Sequence, residues 1–131
     1  MRNYEKIISK LEREKYSFGE SMRFIRKQQG IKIREVADKV EMTATYISDI
    51  ERGNNKPPRK KLMQKILTVL KIQETELQNY LYDLAARERG GVSEDIAEYI
   101  MSNDDLRLVI RMTQRQKISE QFWRECVERV Q

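Results

Sequence analysis

The chain has 131 residues, room for one domain or a small domain with an appendage, and its 36% charged against 39% apolar residues allow a modest core inside a heavily solvated surface. Five Gly and two Pro argue for helices with few sharp turns and against a β-rich fold, while one Cys and no His exclude an internal disulfide, the usual zinc sites and Ser-His or Cys-His nucleophile pairs. The net charge of +5 is uneven: residues 1–72 carry 18 basic and 9 acidic side chains, a net of +9, and residues 73–131 carry 8 and 12, a net of −4.

No run of about 18 apolar residues is present to span a membrane. The opening "MRNYEKIISKLEREKY" carries acids and lacks the apolar stretch of a secretory signal. With a lone Cys126 the simplest compartment is a reducing cytoplasm. Acidic residues are plentiful but scattered on helical stretches, and no catalytic constellation stands out, so no enzyme activity and no cofactor or metal are expected.

Residues 3–15 place Tyr4, Ile7, Ile8 and Leu11 on one helical face. Ser17 with Glu20 three residues on forms the capping-box pattern for a second helix, which turns Met22, Phe24 and Ile25 inward and stops near Gly30. Residues 32–40 place Ile33, Val36, Ala37 and Val40 on one side. Thr43 is a candidate cap for a helix over 43–52 that ends at Gly53. A loop, "NNKPPRKK", follows, with Pro58 suited to a helix's first turn, and Leu62, Ile66, Leu67 and Leu70 stripe the next helix. Residues 74–88 offer Leu77, Tyr80, Leu81 and Leu84. The Gly pair in "RGGV" at 89–92 marks a boundary. Three short helices are predicted beyond it: 94–102 behind a Ser93 cap, 104–114, and 120–130 behind a Ser119 cap. Their apolar positions are Ile96, Ala97 and Ile100; Leu106, Val109 and Ile110; and Phe122, Trp123, Cys126 and Val127.

The helices at 33–40 and 43–52 are joined by a tight link. Val36, Ala37 and Val40 on the first, Met42 in the turn, and Ile47 and Ile50 on the second interlock at fixed spacing, and small Ala37 suits a steep crossing. This is the helix-turn-helix arrangement, whose second helix enters a major groove. Its outer face, Thr43, Ala44, Thr45, Tyr46, Ser48 and Asp49, is short, polar and almost uncharged. Short side chains let a helix approach the groove floor. A methyl of Ala44 or Thr45 can meet a thymine methyl, a hydroxyl can donate or accept, and Asp49 can accept from a cytosine amino group. No Arg or Gln offers a bidentate base contact there. Affinity must then come from phosphate contacts at Lys32, Asn54, Lys56, Arg59 and Lys60, beside the positive end of the next helix.

On "FGESMRFIRKQQGIKIREVADKVEMTATYISDIERGNNKPP", and above all on Arg26, the "REVA" of 34–37 and the "YISDIERG" of 46–53, residues 18–70 resemble the DNA-binding domain of the phage-repressor/Cro type, the XRE family. The stretch "EDIAEYIMSNDDLR" at 94–107 and the later Trp123 are similar to tails of bacterial members. The resemblance implies a five-helix lambda-repressor-like fold. It also implies an ion pair between Arg26 and Glu51, base reading at Ala44, Thr45 and Asp49 with Thr43, Tyr46 and Ser48 beside them, and a backbone contact at Lys32. Where the family usually has Gly in the helix-turn-helix turn, this chain has Glu41.

The expected organisation is an N-terminal helical extension (1–16), a DNA-binding domain (17–72) and a helical C-terminal region (73–131). The family reads half-sites roughly 34 Å apart as two-fold dimers, so the resemblance implies a homodimeric repressor of transcription on a palindromic operator in double-stranded DNA. The C-terminal region is the candidate dimer element; enlarging one core, or sensing an effector, are the alternatives. The first helix could pack on the DNA-binding domain or swap between subunits. The competing function is an antitoxin-like or adaptor module in which DNA binding is secondary to a protein partner.

Overall fold

The computed structural model describes residues 2–131. Among them the chain is all-α: α1 (Asn3–Arg13), α2 (Phe18–Gln28), α3 (Ile33–Lys39), α4 (Ala44–Arg52), α5 (Lys60–Val69), α6 (Thr75–Arg89), α7 (Glu94–Ser102), α8 (Asp104–Gln116) and α9 (Glu120–Val130). No helix is long and apolar enough to cross a membrane among the described residues.

Two compact units divide the chain, one running through Asp95 and the other covering Ile96–Gln131. The first has a single core. Phe18, Met22 and Ile25 of α2, Val36 and Ala37 of α3, Ile47 and Ile50 of α4, and Met63, Ile66 and Leu67 of α5 meet there. α1 adds Ile7 and Leu11, and α6 adds Leu77, Leu81 and Ala85. The boundaries read from sequence at 16/17 and 72/73 therefore fall inside one hydrophobic cluster. The physical reason is that the apolar stripes of α1 and α6 face each other and cover the back of the bundle. The first helix packs within its own chain.

Helix starts follow local chemistry. Ser17 accepts the Glu20 N–H at 3.2 Å while Glu20 accepts the Ser17 N–H at 3.0 Å, a reciprocal capping box. Thr43 accepts the Tyr46 N–H at 3.0 Å. The Phe18 N–H, a further orphan donor of α2, is taken by Glu88 of α6 at 2.6 Å. Two expected starts differ. Pro58 is buried but precedes α5, whose N-cap is Arg59. Ser93 donates to the Asp95 carboxylate and so does not cap α7.

Helix ends explain how a chain with five Gly turns so often. Lys15, Glu41, Lys71 and Lys117 all adopt left-handed backbone, with φ of 54°, 59°, 60° and 52°. Each is followed by an apolar or aromatic residue whose N–H reaches back to a helix carbonyl: Tyr16 to Leu11 at 3.1 Å, Met42 to Ala37 at 2.9 Å, Ile72 to Leu67 at 3.0 Å, and Ile118 to Thr113 at 3.3 Å. This is the Schellman termination, performed by long charged residues in place of Gly. Tyr16 then lies against Phe24, the rings 6.0 Å apart and tilted.

The second unit lacks such a core: no residue of α7, α8 or α9 beyond Asp95 is buried. Its order comes from polar ties. Asn103 accepts the Leu106 N–H at 2.9 Å, Arg107 donates to the Ile100 carbonyl at 3.0 Å, and Phe122 meets Trp123 edge-on with centroids 5.0 Å apart.

The helix-turn-helix turn keeps left-handed geometry with a residue that resists it. A non-Gly residue there costs about 1–2 kcal/mol, partly offset by the greater unfolded-state freedom of Gly. Glu41→Gly is therefore expected to stabilise the chain by about 0.5–1 kcal/mol in a denaturant titration, with the outward residues of α4 unmoved. A loss of stability would mean that the Glu41 side chain makes a compensating contact.

Candidate nucleic-acid interface

The α3–turn–α4 pair is presented by a rigid back. Ile47 and Ile50 of α4 are fully buried, as are Val36 and Ala37 of α3. Behind α4 lies α2, and the two come unusually close at Gly19. A Cβ built there would stand 2.2 Å from the Ile50 carbonyl oxygen and 2.7 Å from that of Glu51, both backbone atoms that cannot swing aside. Gly inside a helix costs about 1 kcal/mol relative to Ala; here it is the only residue that lets the two backbones touch.

Beside that contact is the one buried ion pair among the described residues. Arg26 Nε donates to Glu51 Oε2 at 2.7 Å and Nη2 donates to Oε1 at 3.0 Å, a bidentate arrangement. The third guanidinium nitrogen donates to the Ile31 carbonyl at 2.9 Å, just past the end of α2. Arg26 and Glu51 are 7% and 5% exposed. The pair thus ties α2, the chain entering α3, and the C-terminal turn of α4.

The face turned outward is narrower than the sequence suggests. Thr43, Ala44 and Thr45 are exposed, whereas Tyr46 is half-buried and packs on the core, and Ser48 and Asp49 are half-buried. The Thr43 hydroxyl is already an acceptor as N-cap, which leaves its O–H to donate outward. Asp49 accepts from Arg52 at 3.0 Å, an exposed pair that partly neutralises its carboxylate. Met42, expected to be buried in the turn, is 38% exposed. The same left-handed step at Lys71 leaves Ile72 buried, so the exposure of Met42 is particular to this turn.

The loop after α4 is pinned at both ends. Gly53 takes φ of 79°, and the N–H groups of Asn54 and Asn55 both reach the Asp49 carbonyl, at 2.9 and 3.3 Å. At the far end Pro57 and Pro58 are buried and both carbonyls accept from Arg89 of α6. Between these anchors Asn54, Lys56 and Arg59 are exposed, and Lys60, half-buried, opens α5. Lys32 is exposed at the N-cap of α3, its own N–H 3.4 Å from the Glu35 carboxylate. Gly19, Arg89 and Glu94 are the positions that reading from sequence missed. Gly19 alone carried a signal, since a Gly inside a helical pattern calls for a close backbone approach.

Two short helices with a tight left-handed link, the second set outward on a rigid bundle, define a helix-turn-helix DNA-binding domain. Residues 22–77, less than half of the chain, match the family model described as Helix-turn-helix, which supports the repressor/Cro (XRE) type of regulator. No curated protein and no solved structure matches the chain.

A buried ion pair adds little over an apolar replacement, but stranding one partner costs about 3–5 kcal/mol. Glu51→Gln is expected to lose that much in equilibrium unfolding. The double change Arg26→Met with Glu51→Leu should recover most of it. A Glu51→Gln variant as stable as the parent would show that the pair is not what holds α4 to α2.

Proposed function

We propose that the protein is a cytoplasmic bacterial transcriptional repressor that occupies a palindromic operator as a homodimer. The observation that carries the reading is the contrast between the uncharged outward face of α4 and the basic loop that follows it. An uncharged, short-chained helix face can lie on base edges; a pinned loop with Asn54, Lys56, Arg59 and Lys60 can hold phosphates at fixed register. Lys32 adds a phosphate contact from the start of α3. Thr43, Ala44 and Thr45 read bases directly. Tyr46, Ser48 and Asp49 act from the flanks, with Asp49 shared between Arg52 and a cytosine amino group.

Dimerisation through the second unit is supported by its lack of a core. Tyr99, Met101 and Val127 are 65%, 69% and 57% exposed, on helices with no buried residue beyond Asp95. Small helical segments of this length need partners to bury apolar surface. A second copy also supplies the second half-site that one small reading head needs for operator-grade affinity. The antitoxin-like or adaptor reading would use the same apolar helices for a different protein, with DNA binding secondary.

Selection of bound duplexes from a random pool is the deciding experiment. A two-fold symmetric consensus supports the dimeric repressor; an asymmetric one, or none, removes it. On the selected site, Arg59→Ala and Lys60→Ala should weaken binding about equally across sequences and reduce the salt slope by about one unit each. Thr45→Ala should change preference at one base pair. Base preference lost in the loop variants and unchanged in Thr45→Ala would reverse the proposed roles.

A further inference from the structure

Glu94 has no special standing in sequence. It is one of two acids at the start of α7, where carboxylates ordinarily complement the positive end of their own helix. Its side chain goes elsewhere. Oε1 accepts Arg89 Nη1 at 3.1 Å and faces Arg59 Nη1 at 3.4 Å, and Oε2 lies 3.4 Å from the Lys60 N–H. One carboxylate therefore sits among two guanidinium groups and the first backbone N–H of α5.

That helix has nothing of its own for the position. Its N-cap, Arg59, makes no side-chain cap bond, and its first turn holds no acid. Glu94, reaching back from 34 residues further along the chain, supplies the missing anion. The same carboxylate closes one side of a cleft of about 230 Å³ lined by Lys56, Arg59, Ala86, Arg89 and Gly91. Two acids, Asp95 and Glu94, also stand near Tyr82. Burial first, and then those charges, hold the Tyr82 hydroxyl above its ordinary pKa.

Lys56, Arg59 and Lys60 are the groups assigned above to DNA phosphates. Phosphate and carboxylate ask for the same donors in the same geometry, and two anions cannot share one seat. We propose that Glu94 is a built-in competitor of the duplex: an autoinhibitory contact at Arg59 and Lys60 that a backbone phosphate displaces on binding. The inference rests on the DNA-binding reading of this loop. Displacement releases the first turn of α7 around Gly90, which is left-handed at φ 78°, and Gly91, so that occupancy of the loop is reported as loosening of residues 92–96. The contact is a modulator and not a lock, because the Arg59 side chain is 80% exposed and water competes for it.

The test uses the full chain, the selected duplex and a random-sequence duplex of equal length. Glu94→Gln is compared with the wild type and with Glu98→Gln, which makes the same charge change at an exposed position of the same helix. Glu94→Gln is expected to bind both duplexes about two- to fivefold more tightly than the wild type, and Glu98→Gln to differ much less. Hydrogen exchange on the wild type should show the amides of 97–99, the first of α7 to donate to helix carbonyls, losing protection when duplex is added, and in Glu94→Gln they should be less protected without it. The wild-type exchange measurement carries the test by itself if Glu94→Gln melts early. Binding by all three proteins with no gain specific to Glu94→Gln, or protection of 97–99 unchanged by duplex, overturns the competition and leaves the DNA reading standing. Failure of all three to bind any duplex at low salt overturns both.

Discussion

The contact at Gly19 sets the position of α4 and of the small residues it turns outward. Helix α4 exposes three small residues at its N-terminal end, and their usefulness depends on where its axis lies to within a fraction of an ångström. That axis is defined from behind, where the α4 carbonyls at Ile50 and Glu51 stand against the bare Cα of Gly19. Backbone against backbone leaves no rotamer to relax. The bidentate Arg26–Glu51 pair, a turn and more along α2, then fixes rotation of α4 about that point and ties it to the chain entering α3. Neither contact brings much net stability. Gly in a helix is costly, and a buried ion pair about breaks even with an apolar one. Both are better understood as geometric constraints, and stability comes from the Ile, Leu, Met and Phe cluster around them.

How much of this was legible in sequence depends on how far apart the partners lie. Contacts made within a turn of helix were readable: the Ser17–Glu20 capping box, the Thr43 cap, the interlock of Val36, Ala37, Ile47 and Ile50. Helix ends were less so, because the usual sign is Gly and this chain places Lys or Glu in the left-handed position at four of them. Scarcity of Gly therefore suggested few sharp turns in a chain that has many. Met42 was misjudged too: its apolar type and its place in the turn suggested burial, and the turn leaves it 38% exposed. Pro58 and Ser93 were assigned as helix-start residues, but other partners won, a distant one for Pro58 and a neighbour for Ser93. The Pro57 and Pro58 carbonyls are taken by Arg89, and the Ser93 hydroxyl is taken by Asp95. Nothing in the spacing of the chain announces that Arg89 and Glu94 return to the loop at 57–60.

The uneven charge of the two halves gains a structural meaning from that return. A net of +9 over residues 1–72 is what a duplex-binding surface requires, and the acidic balance beyond is what a region kept off DNA requires. Had the two signs been segregated completely, the loop would present its cations unmasked to any polyanion. Glu94 instead brings one acid of the second half to the edge of the first, against Arg59 and the backbone N–H of Lys60. On the proposed competition, every complex that uses the loop displaces the same carboxylate and loses the same free energy, so the ratio of specific to sequence-blind binding stays where the outward face of α4 sets it. On that reading Glu94 sets how tightly the chain holds any duplex, and the short side chains of Thr43, Ala44 and Thr45 set which duplex it holds.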